Sequence, residues 1–345
     1  MTTKTPKIVL RWNELAPKFL PFADAASEDL PLSRLLRLSL FQVSVGMALV
    51  LLVGTLNRVM IVELHVPASI VSIMVAIPLL FAPFRALIGF RSDNHRSELG
   101  WRRVPYMWMA SMVQFGGLAI MPFALLVLAG AGQSASAPPW VGLTAAALAF
   151  LLVGAGLHTT QTVGLALAND LAAEESRPKV VGLMYVMLLV GMIGSALVFG
   201  VALADFSPGA LIQVIQASAV TTLVLNVIAL WKQEPRRPGG TIDEAVAPSF
   251  SETWKTLAAI PGFKRLLTVV GLGTAAFNMQ DILLEPFGGQ VFGLPVGETT
   301  MLMAALAGGM LIGFFIAERM LNRAVMSKFG FRLGEVTLSF ARRGS

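Results

Sequence analysis

Residues 180–204 read VVGLMYVMLLVGMIGSALVFGVALA, and no charged side chain interrupts this run. A helix rises about 1.5 Å per residue, so a helix of this length crosses the roughly 30 Å hydrocarbon core of a bilayer. The whole chain of 345 residues is also strongly apolar, with 55% hydrophobic and only 13% charged residues and a mean hydropathy of +0.73. A soluble domain carries about 25% charged residues. The composition excludes an ordinary soluble enzyme and a disordered chain, and it predicts an all-α polytopic membrane protein.

Eight apolar runs are long enough to cross a bilayer. Their predicted bounds are 35–62, 68–90, 104–130, 139–166, 178–204, 209–231, 265–292 and 297–318. Every Lys and Arg except Arg58 and Arg85 lies in the N-terminal segment, in a connection that follows an even-numbered span, or in the C-terminal tail. Because positive charge is retained on the cytoplasmic side during insertion, both termini are predicted to be cytoplasmic. This sorting attributes the net charge of +6 to membrane topology and not to nucleic-acid binding.

One long polar connection, 232–264, separates six predicted spans from two. The predicted domains are a cytoplasmic N-terminal segment (1–33), a six-helix half (34–231), this central cytoplasmic loop, the first two helices of a C-terminal half (265–318) and a basic cytoplasmic tail (319–345). A long sixth connection is typical of transporters built from two six-span halves. Superposing Pro67 on Pro295 aligns spans one and two with spans seven and eight, which indicates a parallel internal repeat.

The connection after the second span carries Gly89, Asp93, Arg96, Arg102 and Arg103, and it resembles the loop signature of the major facilitator superfamily. With the long central loop and the repeat, it predicts a major facilitator-like fold with eight of the usual twelve transmembrane helices. A truncated reading frame, a partial chain, or partner proteins that complete the bundle would each account for the other four helices.

Charged residues inside the predicted spans are candidates for function, because a charge in hydrocarbon costs several kcal/mol unless it is paired or hydrated. Arg58 and Glu285 are predicted to lie at similar depth, and Asp281 lies one turn from Glu285 on the same helix face. We expect Arg58 to pair with Glu285 or Asp281, more as a latch than as a ligand site. Arg85 is expected to extend to the interface in preference to binding a ligand.

His158, in the fourth span, is the sharpest candidate for ligand binding, although three histidines and no cysteine are too few for a metal cluster. A neutral imidazole can coordinate the magnesium of a chlorin, and Gln161 could bond its carbonyl substituents. A hydrogen bond from His158 to a neighbouring helix is the alternative that spacing alone favours. In the seventh span, Asn278 and Gln280 add amides near Pro286, whose ring frees a backbone carbonyl that another helix or a ligand must satisfy.

Long segments of the chain carry a specific family resemblance. They are LRLSLFQVSVGMALVLLVGTLNRVMIVEL (36–64), LLFAPFRALIGFRSDNHRSELGWRRVPYMW (79–108), QFGGLAIMPFALL (114–126), GLHTTQTVGLALANDLA (156–172) and QDILLEPFGGQVFG (280–293). These segments resemble the PucC/LhaA family, also called the bacteriochlorophyll delivery family, a branch of the major facilitators. The resemblance covers nearly all of residues 11–320.

The resemblance implies an assembly factor for light-harvesting antenna complexes in the inner, intracytoplasmic membrane of purple bacteria. It implies bacteriochlorophyll as the molecule bound or transferred, and antenna polypeptides, the reaction centre complex and membrane lipid as partners. Two alternatives stay open, namely a proton-coupled transporter of a small solute and a structural antenna partner that binds no pigment. The sequence shows no nucleotide-binding loop, nucleophile triad or redox motif, so we do not expect an enzyme.

Overall fold

A computed structural model describes residues 22, 25–27, 30–95, 97, 100–131, 136–235 and 250–341, which are helical and contain no strand. Eleven α-helices are distinguished in this part of the chain. They are α1 Leu32–Leu38, α2 Leu40–Leu49, α3 Ala68–Leu80, α4 Ala82–Asn94, α5 Val104–Leu128, α6 Pro139–Leu171, α7 Arg177–Ala202, α8 Pro208–Leu230, α9 Phe250–Ala259, α10 Phe263–Phe292 and α11 Val296–Ala341. Among the described residues, seven helical segments are long and apolar enough to cross a membrane. The polytopic all-α class is thereby confirmed.

The first span is a continuous helical rod from Leu32 to Glu63 that runs largely buried through the bundle. Its second half is mostly π-helical, over Val50–Leu56 and Val59–Glu63. A π-helix is wider than an α-helix and pairs each amide with the carbonyl five residues earlier. The two π segments flank Asn57 and Arg58, so these side chains leave the rod in directions that an α-helix would not give them.

The second span, predicted as one helix over 68–90, is instead two short helices. α3 ends at Leu80 and α4 begins at Ala82, with Phe81 between them. Pro78 lies inside α3 and Pro83 lies in the first turn of α4. Because proline lacks an amide hydrogen and its ring collides with the preceding turn, two prolines this close break the helix. Neither piece alone meets the length of a membrane span, which is why the structure counts seven long helices and not eight.

Small residues bring the helices of the bundle into backbone contact. A side chain at Gly46 would collide with the backbone of α7 near Gly191, and one at Gly297 would meet the backbone of α7 at Gly200. Close approach of this kind is the usual way in which membrane helices associate, since lipid provides no hydrophobic force between them. Through these contacts α7 joins the first span to α11.

A buried hydrogen-bond chain also connects three helices. Asn226 of α8 donates from Nδ2 to the hydroxyl of Ser111 on α5 at 2.9 Å, and its Oδ1 accepts from Ser44 of α2 at 2.8 Å. In contrast, α10 is largely exposed, and its first half carries apolar side chains such as Leu266, Val269 and Leu272 on the surface. The packed part of the molecule is thus formed by the first span and helices α5 to α8, with the buried faces of α3 and α11 against them.

Candidate functional site

A polar cluster lies between α4 and α6 and consists of Arg85, His158, Gln161 and Thr162, which we call the central cluster. Arg85 Nε donates to Thr162 Oγ1 at 3.0 Å, and Arg85 Nη2 donates to Gln161 Oε1 at 3.3 Å. Arg85 Nη1 lies 3.4 Å from His158 Nδ1. We expected Arg85 to extend toward the interface, but it turns onto α6 because three acceptors within two helical turns match the fork of its guanidinium. Thr162 was not singled out from the sequence, although it lies one turn after His158.

The contact with Arg85 determines what the imidazole of His158 can offer. A guanidinium has only donors, so His158 Nδ1 accepts and the neutral ring carries its proton on Nε2. A magnesium ligand needs a free nitrogen lone pair, and the Nδ1 lone pair points to Arg85. In this arrangement His158 presents an Nε2–H donor, which suits a carbonyl oxygen better than a metal.

A small apolar cavity of about 80 Å³ lies beside the central cluster. Its walls include Leu52 of the first span, Pro78 of α3, and Phe150 and His158 of α6. Pro78 packs so closely on Gly154 that even a methyl group there would collide with the proline ring. Pockets for drug-sized ligands measure about 300–1,000 Å³, so this cavity is too small for a tetrapyrrole. A ligand of that size could enter only if a wall of the cavity, such as α3, moved away.

A second group of polar residues lies where the first span crosses α10. Glu285 is fully buried, and Thr300 donates to its Oε2 at 3.4 Å, while Oε1 has no hydrogen-bond partner among the described residues. The carboxylate lies directly on the backbone of Gly54, where any side chain would collide with it. Thr55 and Thr300 face each other at 3.3 Å. The glycine therefore makes room for an acid inside the bundle.

The carbonyl group that Pro286 leaves without a helical hydrogen bond has another hydrogen-bond partner in the structure. Pro286 has no amide hydrogen, so the carbonyl of Ile282, four residues earlier, loses its helical hydrogen bond. Asn57 donates from Nδ2 to this carbonyl at 2.7 Å. The prediction that another helix or a ligand must satisfy the freed carbonyl is confirmed, and the partner is a side chain of the first span.

The predicted pair of Arg58 with Glu285 or Asp281 is wrong. Arg58 instead bonds to Glu63 at 2.5 Å and donates from Nη2 to the carbonyl of Leu294 at 2.9 Å. Positions five residues apart diverge on an α-helix, but the π-helical turn Val59–Glu63 brings them onto one face. Asp281 is partly exposed and has no ion pair among the residues that the structure describes. Gln280 is exposed, and the side chain of Asn278 lies outside the described residues.

The predicted loop signature forms an ion-pair network at the end of the bundle that carries most basic residues. Arg103 is almost fully buried and bonds to Asp93 and Asp170, each at 2.6 Å, and Arg102 also pairs with Asp170. Burial alone would lower the pKa of Arg103, but the hydrogen bonds and charges of Asp170 and Asp93 raise it. A side chain at Gly89 would meet Thr162 only at ordinary van der Waals distance, and Arg96 lies outside the described residues.

Glu234, which the sequence did not reveal, completes this network. Its carboxylate accepts from the backbone amides of Arg102, Arg103 and Val104 at 3.0–3.1 Å, which caps the start of α5. Glu234 follows α8, and Asp170 is near the end of α6, so four helices are joined at this end. No local pattern marks Glu234 as a cap, since it lies far from α5 in sequence.

Comparison with known proteins gives a consistent result. The family model for PUCC protein matches residues 55–339. Protein PucC of Rhodovulum sulfidophilum is 65% identical over 90% of this chain, which covers 69% of that relative. Protein PucC of Rhodobacter capsulatus is 63% identical over 89% of this chain and 67% of the relative. A bacteriochlorophyll synthase 44.5 kDa chain of Rhodobacter capsulatus is 29% identical over 81% of this chain. The chain spans about two thirds of the length of the two PucC proteins.

Proposed function

Because this chain belongs to the PUCC protein family, we propose that it is an assembly factor for light-harvesting antenna complexes. In this role it delivers bacteriochlorophyll or holds antenna polypeptides while pigment is loaded. The likeness to a protein named as a bacteriochlorophyll synthase chain supports a connection with pigment. The corresponding location is the bacterial inner membrane, with both termini cytoplasmic, and the partners are antenna polypeptides and the reaction centre complex.

The central cluster is the observation that carries the pigment part of this proposal. It places a guanidinium, an imidazole and an amide beside an apolar cavity inside a membrane bundle. Bacteriochlorophyll is an apolar macrocycle with carbonyl substituents at its edge, so it needs apolar walls and a few hydrogen-bond donors. Arg85 and the Nε2–H of His158 are such donors. These residues therefore suit the edge of the pigment, while a wall of the cavity such as α3 must move before the ring can enter.

The break between α3 and α4 offers a place for such a movement. α3 carries Pro78, which closes the cavity against Gly154, and it is separated from α4 by Phe81. Helices without continuous backbone hydrogen bonds bend at low cost. We propose that α3 swings about Phe81 to admit pigment while α4 keeps Arg85 on α6.

The absorption spectrum of the protein, purified in mild detergent from cells that make bacteriochlorophyll, tests the pigment role. We expect a long-wavelength chlorin band at a constant pigment-to-protein ratio through two chromatographic steps. Protein that loses all pigment, yet purifies together with antenna polypeptides, would support a structural partner. Protein that binds neither would contradict the assembly role as a whole.

Glu285 favours a second candidate, a proton-coupled transporter. A buried carboxylate with one unpartnered oxygen is the kind of group that carries protons through membrane proteins. Glu285→Gln keeps the side-chain volume and a hydrogen-bonding group opposite Thr300 but cannot bind a proton. If the chain is an assembly factor, cells with this variant should form antenna complexes at wild-type levels, measured by their absorption. Proton-coupled uptake of a solute into liposomes that hold the wild-type protein, lost in liposomes with this variant, would instead favour the transporter.

A further inference from the structure

A cavity of about 1070 Å³ opens at the basic end of the bundle, far larger than the cavity at the central cluster. It lies between the end of α1, the start of α5 and the end of α8. Three of the six tryptophans of the chain line it, namely Trp101, Trp108 and Trp231. Neither the central cluster nor the residues around Glu285 contribute to it, so it needs an explanation of its own.

The charged groups of this cavity are predominantly positive. Arg37 and Lys232 line it together with Arg34, which donates to Gln233 through Nε and Nη2. The acid in the lining is Glu234, and its two oxygens already cap the amides at the start of α5. Three cations face this one acid, so the lining keeps a net positive charge.

Arg37 provides a second observation at this cavity. Its Nε is buried and has no hydrogen-bond partner among the described residues. A buried cationic donor without an acceptor is unfavourable, and a phosphate oxygen is among the strongest acceptors for a guanidinium. Lys232 adds a second cation at the end of α8, and the backbone there adopts a left-handed conformation (φ 53°).

The other wall of the cavity is apolar and open to the surroundings of the bundle. Trp108 is 48% exposed and Trp231 is 60% exposed, and Val227 and Leu230 extend the wall along α8. Tryptophan is enriched where membrane proteins meet lipid headgroups, because its ring is apolar and its N–H is polar. A free phosphate would use the cations but leave this wall in contact with water. An amphiphile satisfies both.

We propose that this cavity binds an anionic phospholipid, with Arg37 and Lys232 on the phosphate and the tryptophans along the glycerol and the first acyl carbons. Basic pockets between membrane helices are suited to such headgroups. The inference depends on the membrane-embedded fold and not on the proposed role in antenna assembly. A bound lipid here would hold α1, α5 and α8 together.

Quenching of tryptophan fluorescence by brominated lipid tests this site. The full chain in detergent is titrated with brominated phosphatidylglycerol and, separately, with brominated phosphatidylcholine carrying the same acyl chains. We expect the anionic lipid to quench at lower concentration. Each interfacial basic residue strengthens the binding of an anionic lipid by about fivefold. The variant Arg37→Gln/Lys232→Gln should therefore need roughly 25-fold more phosphatidylglycerol for half-quenching, with no change for phosphatidylcholine.

A matched control removes two cations elsewhere on the chain. Lys264→Gln/Arg265→Gln changes exposed residues at the start of α10 and should leave the preference for the anionic lipid intact. Thermal unfolding checks that each variant is folded, and if the Arg37 change prevents folding, Lys232→Gln alone should weaken binding about fivefold. Equal quenching by both lipids, an unchanged preference in the double variant, or displacement of the lipid by soluble glycerol phosphate at equal concentration would overturn the proposal.

Discussion

At residue 158, one imidazole lone pair has two competing uses. It can accept from Arg85, as it does in the structure at 3.4 Å, or it can coordinate a metal after Arg85 has moved. The first use leaves Nε2–H as a donor, and the second requires Arg85 to be released from Nδ1. The two uses can be distinguished by experiment. Another hydrogen-bond donor can replace a donor, whereas a ligand to the metal affects the absorption spectrum of the pigment.

Two substitutions at this position separate the two uses. If His158 donates to a pigment carbonyl, His158→Leu should lower the pigment that purifies with the protein by roughly fivefold to tenfold, the value of one buried hydrogen bond. His158→Gln should retain most of it, since the amide N–H lies near the position of Nε2. Pigment content and the position of the long-wavelength band are measured, with Gln280→Ala as an exposed control. Equal loss in Leu and Gln variants would argue for coordination, and no loss in either would remove His158 from the site.

At the scale of helices, the breaks in regular α-helix are what position the polar groups. The π turns of the first span aim Arg58 at Glu63, and the proline of α10 gives Asn57 its acceptor. The pairing of Arg58 with Glu285 was predicted by counting depth on two α-helices. This count failed because Glu285 lies against Gly54, one turn before Arg58, and Arg58 lies beside Gly289. Sequence patterns show which helix is apolar, but no pattern distinguishes a π turn within it.

The contact between Asn57 and Ile282 can be tested by a double-mutant cycle. Asn57→Ala leaves the carbonyl of Ile282 without a partner and should lower the free energy of unfolding by about 1 kcal/mol. Pro286→Ala restores an amide hydrogen that can bond to the same carbonyl along the helix. Asn57→Ala should then cost much less in the Pro286→Ala background. Unfolding in mixed detergent micelles measures the four free energies, and an undiminished cost of Asn57→Ala in both backgrounds would show that the side chain acts elsewhere.

For the whole molecule, the sequence predicted local features better than contacts between residues that are distant in the chain. Hydropathy located the spans because burial in lipid acts on each segment separately, and the paired prolines at 78 and 83 explain why the second span alone is divided. The loop residues Asp93, Arg102 and Arg103 were singled out as part of a loop signature, and in the structure they form ion pairs. Their partners Asp170 and Glu234 were not predicted, because these two residues come from the ends of other helices. Only the folded bundle brings these residues to one place.

The two acids of the ion-pair network at the basic end should therefore contribute unequally to the stability of the bundle. Asp170 is the less exposed acid and serves both Arg102 and Arg103, whereas Asp93 is 53% exposed and serves one. Asp170→Asn leaves the buried Arg103 with a weaker partner and should lower the free energy of unfolding by about 1–2 kcal/mol, against about 0.5 kcal/mol or less for Asp93→Asn. Thermal unfolding in detergent, with the exposed Asp205→Asn as control, measures both. If Asp93→Asn proved the more damaging change, the connection from α4 to α5, and not the connection to α6, would be what holds this end of the molecule together.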